Sequence, residues 1–116
     1  MAETVFHRGN GAEPETLDVH RSTGVPESLI QTDLYDGLLS YDAKGEPMPG
    51  AAESWTISAD GLTYTFKLRA DGKWSDGTPV TADDFVFSWR RLVDPKTASD
   101  YAYFLWPVLN AEEIDK

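Results

Sequence analysis

From Leu62 to Arg69 the chain alternates. Leu62, Tyr64, Phe66 and Leu68 fall on one side of an extended backbone, and Thr63, Thr65, Lys67 and Arg69 fall on the other. Successive side chains of a strand point to opposite faces, so this run specifies a β-strand with one covered and one wet face. Trp55-Thr56-Ile57 precedes it, and the intervening Asp60-Gly61 is a dipeptide that accepts tight-turn backbone angles. The pattern predicts a hairpin pairing 55–57 with 62–68, with Phe66 pointing into the core. A two-stranded hairpin is marginal in water, so the remainder of the chain has to cover it.

Helical signals occur twice. Gly24-Val25-Pro26-Glu27-Ser28 leads into Leu29, Ile30 and Leu34 at helical spacing. Pro26 suits a first turn, where its missing N–H would be an orphan, and Gly37 is placed to stop the helix. Thr81 is an N-cap with Asp84 three residues on, and Phe85, Val86, Trp89 and Leu92 form an apolar stripe that Asp94-Pro95 ends. Thr4 to Arg8 reads as a short strand closed by Asn10-Gly11, followed by a loop through Pro14 to His20. Leu38 to Tyr41 reads as a strand and Asp42 to Gly45 as a turn, while Pro47, Pro49 and Gly50 argue against regular structure after it. Trp74 to Pro79 is turn chemistry. Residues 98–109 read as a short irregular or helical piece ended by Pro107, and Asn110 to Lys116 are polar. The fold class is therefore α/β, a mixed helix-and-strand chain.

The chemistry the chain excludes is as informative. Twenty acidic against ten basic residues give a net charge of −10, dispersed along the chain, so no Lys/Arg patch is available for a phosphate backbone and nucleic acid is not a partner. Without cysteine there is no disulfide, thiolate metal site or cysteine nucleophile. His7 and His20 have no companion at metal-ligand spacing, so no metal is expected. Asp83-Asp84 could be a carboxylate pair for glycoside hydrolysis, but directly after Thr81 they serve the helix start. Ser28 and Ser75 lack a nucleophile elbow, and Gly9-Asn10-Gly11 lacks the third glycine of a phosphate loop. Trp55, Trp74 and Trp89 are expected to share one core rather than touch a ligand. Tyr101 and Trp106, in less regular sequence, are open to either role. No basic, apolar leader opens the chain, which leaves a cytosolic protein or a removed leader.

Several ordered stretches add what periodicity does not. Leu34-Tyr35-Asp36-Gly37-Leu38-Leu39 and Pro49-Gly50-Ala51-Ala52-Glu53-Ser54-Trp55 resemble the N-terminal region of bacterial family 5 solute-binding proteins. So do Thr63 to Arg69 and Lys73-Trp74-Ser75-Asp76-Gly77-Thr78-Pro79-Val80-Thr81-Ala82-Asp83-Asp84-Phe85. These proteins are the oligopeptide-, dipeptide- and nickel-binding components of ABC importers. Gly24 to Ser28 and Arg91-Leu92-Val93-Asp94-Pro95-Lys96-Thr97-Ala98-Ser99 are similar to the oligopeptide branch and its murein-peptide relatives.

The resemblance implies a longer, two-lobed periplasmic-binding-protein fold with an extra inserted domain. Residues 1–36 would open lobe I with a strand, a ligand-facing segment and a helix. Residues 37–116 would form a large part of the inserted domain, and the second lobe would lie outside this chain. Thr23-Gly24-Val25 matches the stretch whose backbone pairs with an extended ligand, Gly24 permitting close approach, and Tyr101 matches a ligand-lining tyrosine. Thr23 stands where a well-known enteric member has an acidic residue, so no charge interaction is carried over.

The function this implies is a non-enzymatic substrate-binding component that holds oligopeptides between two lobes and delivers them to an ABC permease. It uses no cofactor, and its location is periplasmic with the leader removed. The alternatives are a relative that binds dipeptides, murein peptides, glutathione, haem or nickel chelates, and, outside the class, a glycoside hydrolase or an adhesive domain. The full-length protein is expected to be monomeric, and this chain alone to self-associate through an open strand edge.

Overall fold

A computed structural model describes residues 3–116. The chain gathers into two compact units. One is Tyr35–Arg91; the other joins the N-terminal stretch up to Leu34 with Leu92–Lys116.

Tyr35–Arg91 is built from short-range antiparallel pairs. Strands β1 (Leu39–Tyr41) and β2 (Pro47–Pro49) pair with Leu39 opposite Pro49, Ser40 opposite Met48 and Tyr41 opposite Pro47. The expectation that Pro47 and Pro49 forbid regular structure is corrected here, and the hydrogen-bond alternation gives the reason. Asp42 N donates to Glu46 O at 3.0 Å, so 42/46 is a bonded pair. Bonded and non-bonded pairs alternate along an antiparallel ladder. Ser40/Met48 is then the next bonded pair, and both prolines occupy positions whose N–H would have faced away from the partner.

The chain then folds back. Ala51 N and Ala52 N donate to Gly37 O and Leu38 O, each at 2.9 Å. Gly50 makes this approach possible, because a Cβ there would lie 2.6 Å from Gly37 O. Gly37 therefore serves this return; the first helix ends earlier, at Leu34.

Strands β3 (Ala52–Ile57) and β4 (Tyr64–Leu68) form the expected hairpin, with Trp55 opposite Phe66 and a bulge between Ala52 and Ser54. The turn is longer than a two-residue connection. Ser58 N donates to Thr63 O and Gly61 N to Ser58 O, both at 2.9 Å, with Gly61 at φ 74°. Leu62 therefore lies in the turn, 82% exposed, and the strand begins at Tyr64. Phe66 and Leu68 are half-buried while Thr65 and Lys67 are exposed, so the alternation holds with a face that is only partly covered.

Helix α2 (Ala82–Leu92) starts where its caps require. Thr81 N donates to Asp84 Oδ2 at 2.8 Å, and Trp74 Nε1 reaches the same oxygen at 3.2 Å. A shared core of Trp55, Trp74 and Trp89 does not form. Trp55 is half-buried, but Trp74 and Trp89 remain exposed, Trp74 because its indole N–H is turned to the Asp84 cap. Among the described residues no large side chain is fully buried, and the buried apolar set is Ala52, Val93, Ala102 and Ala111.

The second unit is held by side chains reaching across the sequence. The strand expected at Thr4–Arg8 is irregular, with Phe6 exposed, because no partner strand lies beside it among the described residues. The segment is tied down instead by Arg8 to Asp33 at 3.1 Å and by Asn10 Nδ2 donating to Pro26 O at 3.1 Å. Helix α1 (Val25–Leu34) carries Pro26 in its first turn, as expected. Short 3₁₀ turns follow at Pro95–Thr97, capped by Asp94, and at Ala102–Leu105. A last helix, α3 (Ala111–Asp115), was not signalled by its polar sequence; Trp106 Nε1 donates to Asp115 Oδ2 at 2.9 Å.

Candidate ligand cleft

The unit that joins the N-terminal stretch with Leu92–Lys116 also holds an open cleft of about 370 Å³. One wall is the backbone that enters α1. Thr23 is exposed and outside any regular element, Gly24 precedes the helix, and Gly24 O accepts Ser28 N at 3.2 Å. Facing this wall is Tyr101, 78 positions away, whose hydroxyl donates to Thr23 O at 3.3 Å. The Tyr101 ring is aimed by its surroundings. It leads directly into the 3₁₀ turn and lies against Tyr103 and Phe104, with ring centroids 6.1 and 5.4 Å away. All four sequence-derived positions, Thr23, Gly24, Val25 and Tyr101, border the one cleft.

The remaining wall came from positions that sequence reasoning missed: Val19, Ser22, Ser28 and Gln31. Ser28 and Gln31 could have been found. Gly24, Ser28 and Gln31 are spaced i, i+4, i+7, so once Gly24 is a candidate the helix places the other two on its face. Val19 and Ser22 arrive through a turn in which Arg21 N and Ser22 N both donate to Asp18 O at 3.0 Å, which no dipeptide signal announced. Ser22 Oγ donates to Gln31 Oε1 at 3.0 Å, and Gln31 Nε2 is buried without a partner.

The lining is uncharged: hydroxyls, one amide, a phenol, two valines and backbone. Such a surface offers hydrogen bonds and apolar contact to an extended neutral segment. Thr23 O accepts the Tyr101 hydroxyl through one lone pair, which leaves the second to accept a ligand N–H. Asp83-Asp84 lies in the other unit, where Asp84 is committed to the helix start. Asp84 is held below the usual carboxylate range by the Thr81 N–H, then by the Trp74 indole, which keeps it ionised and unsuited to donate a proton. Among the described residues no group of three or more His, Asp or Glu side chains is arranged to hold a metal.

Comparison with known proteins sets this geometry in context. Residues 46–116 match the model of bacterial extracellular solute-binding proteins, family 5 Middle. The periplasmic oligopeptide-binding protein OppA of Haemophilus influenzae is 55% identical over 107 residues, covering 90% of this chain and 20% of that protein. Its Escherichia coli K12 namesake is 59% identical over 98 residues, covering 84% of this chain and 18% of that protein. The crystal structure of Haemophilus influenzae OppA in complex with RPPGFSPFR superposes with a TM-score of 0.86 at 54% identity, over 91% of this chain and 21% of that one. The chain thus spans about one fifth of the length of the proteins it matches.

Proposed function

The chain belongs to the bacterial extracellular solute-binding proteins of family 5, and from that premise we propose that it is part of the oligopeptide-binding component of an ABC importer. The observation that carries this reading is the convergence of Thr23, Gly24, Val25 and Tyr101 on one uncharged cleft, across 78 positions of sequence. A backbone wall with neutral side chains suits a receptor that must accept many peptides, because main-chain bonds give affinity without reading side chains. The protein acts by binding and not by catalysis, and its working partner is a membrane permease.

The location follows the periplasmic relatives; among the described residues no helix is long and apolar enough to cross a membrane. For the architecture, we propose that the stretch through position 36 opens the first lobe of a two-lobed protein. The inserted domain begins at 37, and the unit Tyr35–Arg91 supports ending it near Arg91, since Leu92–Lys116 gathers with the N-terminal stretch. The second lobe supplies the facing wall of the site.

The test is calorimetric titration of the full-length protein with mixed tripeptides, joined to mass spectrometry of co-purified ligands. Peptides should be recovered and should bind saturably. Tyr101→Ala should weaken binding while leaving the melting temperature of the empty protein nearly unchanged. If melting and affinity fall together, Tyr101 is a packing residue and its place in the site is lost.

A further inference from the structure

Glu27 is the one buried polar or charged residue among those described, 3% exposed. A carboxylate removed from water needs compensation, and a bare oxygen loses its hydration without return. Two features compensate Glu27 only in part: it lies in the first turn of α1, at the positive end of the helix, and its Oε1 accepts Glu15 N at 2.8 Å. Its Oε2 has no partner. An ordinary helix-start glutamate could turn outward and recover its water, so the inward placement calls for another cause.

The neighbour of that bare oxygen is Gly24. A Cβ built on Gly24 would lie 2.2 Å from Glu27 Oε2 and 3.0 Å from its Cδ. The volume a side chain would take at position 24 is therefore filled by the carboxylate, from behind the cleft wall. Resting on the peptide-binding reading above, we propose that Glu27 is a positioning residue. Its carboxylate ties the loop at Glu15 to α1 and holds the Thr23-Gly24-Val25 backbone on the path that faces the ligand. Gly24 is then required by Glu27 behind it, and not by the ligand in front.

The two explanations of Gly24 differ in a double-mutant cycle on the full-length protein, with tri-alanine affinity and ligand-free melting as readouts. Gly24→Ala alone should weaken binding roughly tenfold, and Glu27→Ala alone should also weaken it, because contacting residues couple. The combined variant should bind no worse than Glu27→Ala, since the new methyl group enters the space the carboxylate left. Multiplied losses in the combination would overturn the proposal, because Gly24 would then be needed by the ligand. A lower melting temperature for Glu27→Ala with unchanged affinity would also overturn it.

Milder variants keep the test open if the alanine changes prevent folding. Glu27→Gln retains the shape and an acceptor for Glu15 N, and should bind within roughly threefold of the unsubstituted protein. Glu27→Asp, a methylene too short to reach beneath Gly24, should lose about as much as Glu27→Ala. Equal losses for Gln and Asp would contradict a role set by shape. Absence of tri-alanine binding by the unsubstituted protein would overturn the peptide reading itself, and this inference with it.

Discussion

The two units of this chain are held by bonds of different reach. In Tyr35–Arg91 the side-chain bonds close turns or caps, as Asp42 to Lys44 and Glu46, Asp60 to Leu62, Asp76 to Thr78, and Asp84 to Thr81 and Trp74, or join the paired strands of one hairpin, as Lys67 to Glu53 does across 14 positions. In the other unit the organising bonds span 12, 16, 25 and 78 positions, from Glu27 to Glu15, Asn10 to Pro26, Arg8 to Asp33 and Tyr101 to Thr23. Short loops are closed at little entropic cost and long ones at more. One unit is thus specified locally, residue by neighbouring residue. The other exists only when distant segments meet, and it is the one that holds the cleft.

The sharpest way to break this comparison lies in the local unit, at Gly50. A Cβ there meets the carbonyl of Gly37, backbone against backbone, at 2.6 Å. Gly50→Ala should destabilise the β1–β2 return by about 3 kcal/mol, the upper end for overpacking. Hydrogen exchange of the Ala51 and Ala52 amides, which donate into that return, would report it directly. Gly24 in the other unit meets only a side chain, so Gly24→Ala should lower stability by less. If the two losses were equal, backbone closure would not be what distinguishes the local unit.

A smaller effect is expected from Phe66→Ala. Fully buried phenylalanines lose about 3–5 kcal/mol on truncation, but Phe66 is half-buried opposite Trp55. About 2 kcal/mol is expected, seen as faster exchange along β3 and β4 and little change in the other unit. Spread of the loss to amides of α1 would show the two units to be one cooperative body.

This difference in reach also explains what could be read in advance. The β3–β4 hairpin, the Thr81 cap and the turns at Asp42 and Trp74 follow from rules within a few residues, and the sequence carries those rules openly. Pro47 and Pro49 misled because a proline signal says nothing about which ladder positions need an N–H. Leu62 misled because period-two alternation continued into the turn. Tyr101 was placed at the site through resemblance alone; no pattern joins it to Thr23. The burial of Glu27 was equally invisible, since a glutamate in a first turn reads as an ordinary exposed residue.

For the long-range unit the corresponding probe is Asn10, whose Nδ2 donates to both Ala12 O and Pro26 O at 3.1 Å. Asn10→Ala should cost about 1 kcal/mol, typical of a hydrogen bond between partly exposed groups. It should raise exchange in the first turn of α1 while leaving the hairpin amides unchanged. Asn10→Asp, which keeps the size but replaces the donor with an acceptor facing two carbonyls, should be no better than alanine. A variant indistinguishable from the unsubstituted protein would mean that the N-terminal stretch is not held through this bond.

The smallest effect, and the one most specific to the local unit, is its response to acid. Asp60, Asp71, Asp76 and Asp84 are all held below the ordinary aspartate value of 3.8. The leading causes are the Ser58 hydroxyl for Asp60, the Arg69 guanidinium for Asp71, the Thr78 hydroxyl for Asp76 and the Thr81 N–H for Asp84. All four lie within Tyr35–Arg91. A carboxyl whose folded pKa is depressed binds its proton more readily when unfolded, so its contribution is fully present above the unfolded value, near 3.8. That contribution is lost as the pH falls from there through the lower folded values. Between neutral pH and about pH 5 these groups should leave stability unchanged. Below pH 4 or so, exchange should quicken at the Leu62, Thr78 and Thr81 amides, which donate to Asp60, Asp76 and Asp84. Asp84→Asn should remove the acid dependence at Thr81 alone, because its amide oxygen still accepts but no longer titrates. Asp60, Asp71 and Asp76 are exposed and Asp84 is half-buried, so each contribution is small and salt will reduce the Asp71–Arg69 part first. Persistence of the Thr81 acid response in Asp84→Asn would show that the capping carboxylate is not its source.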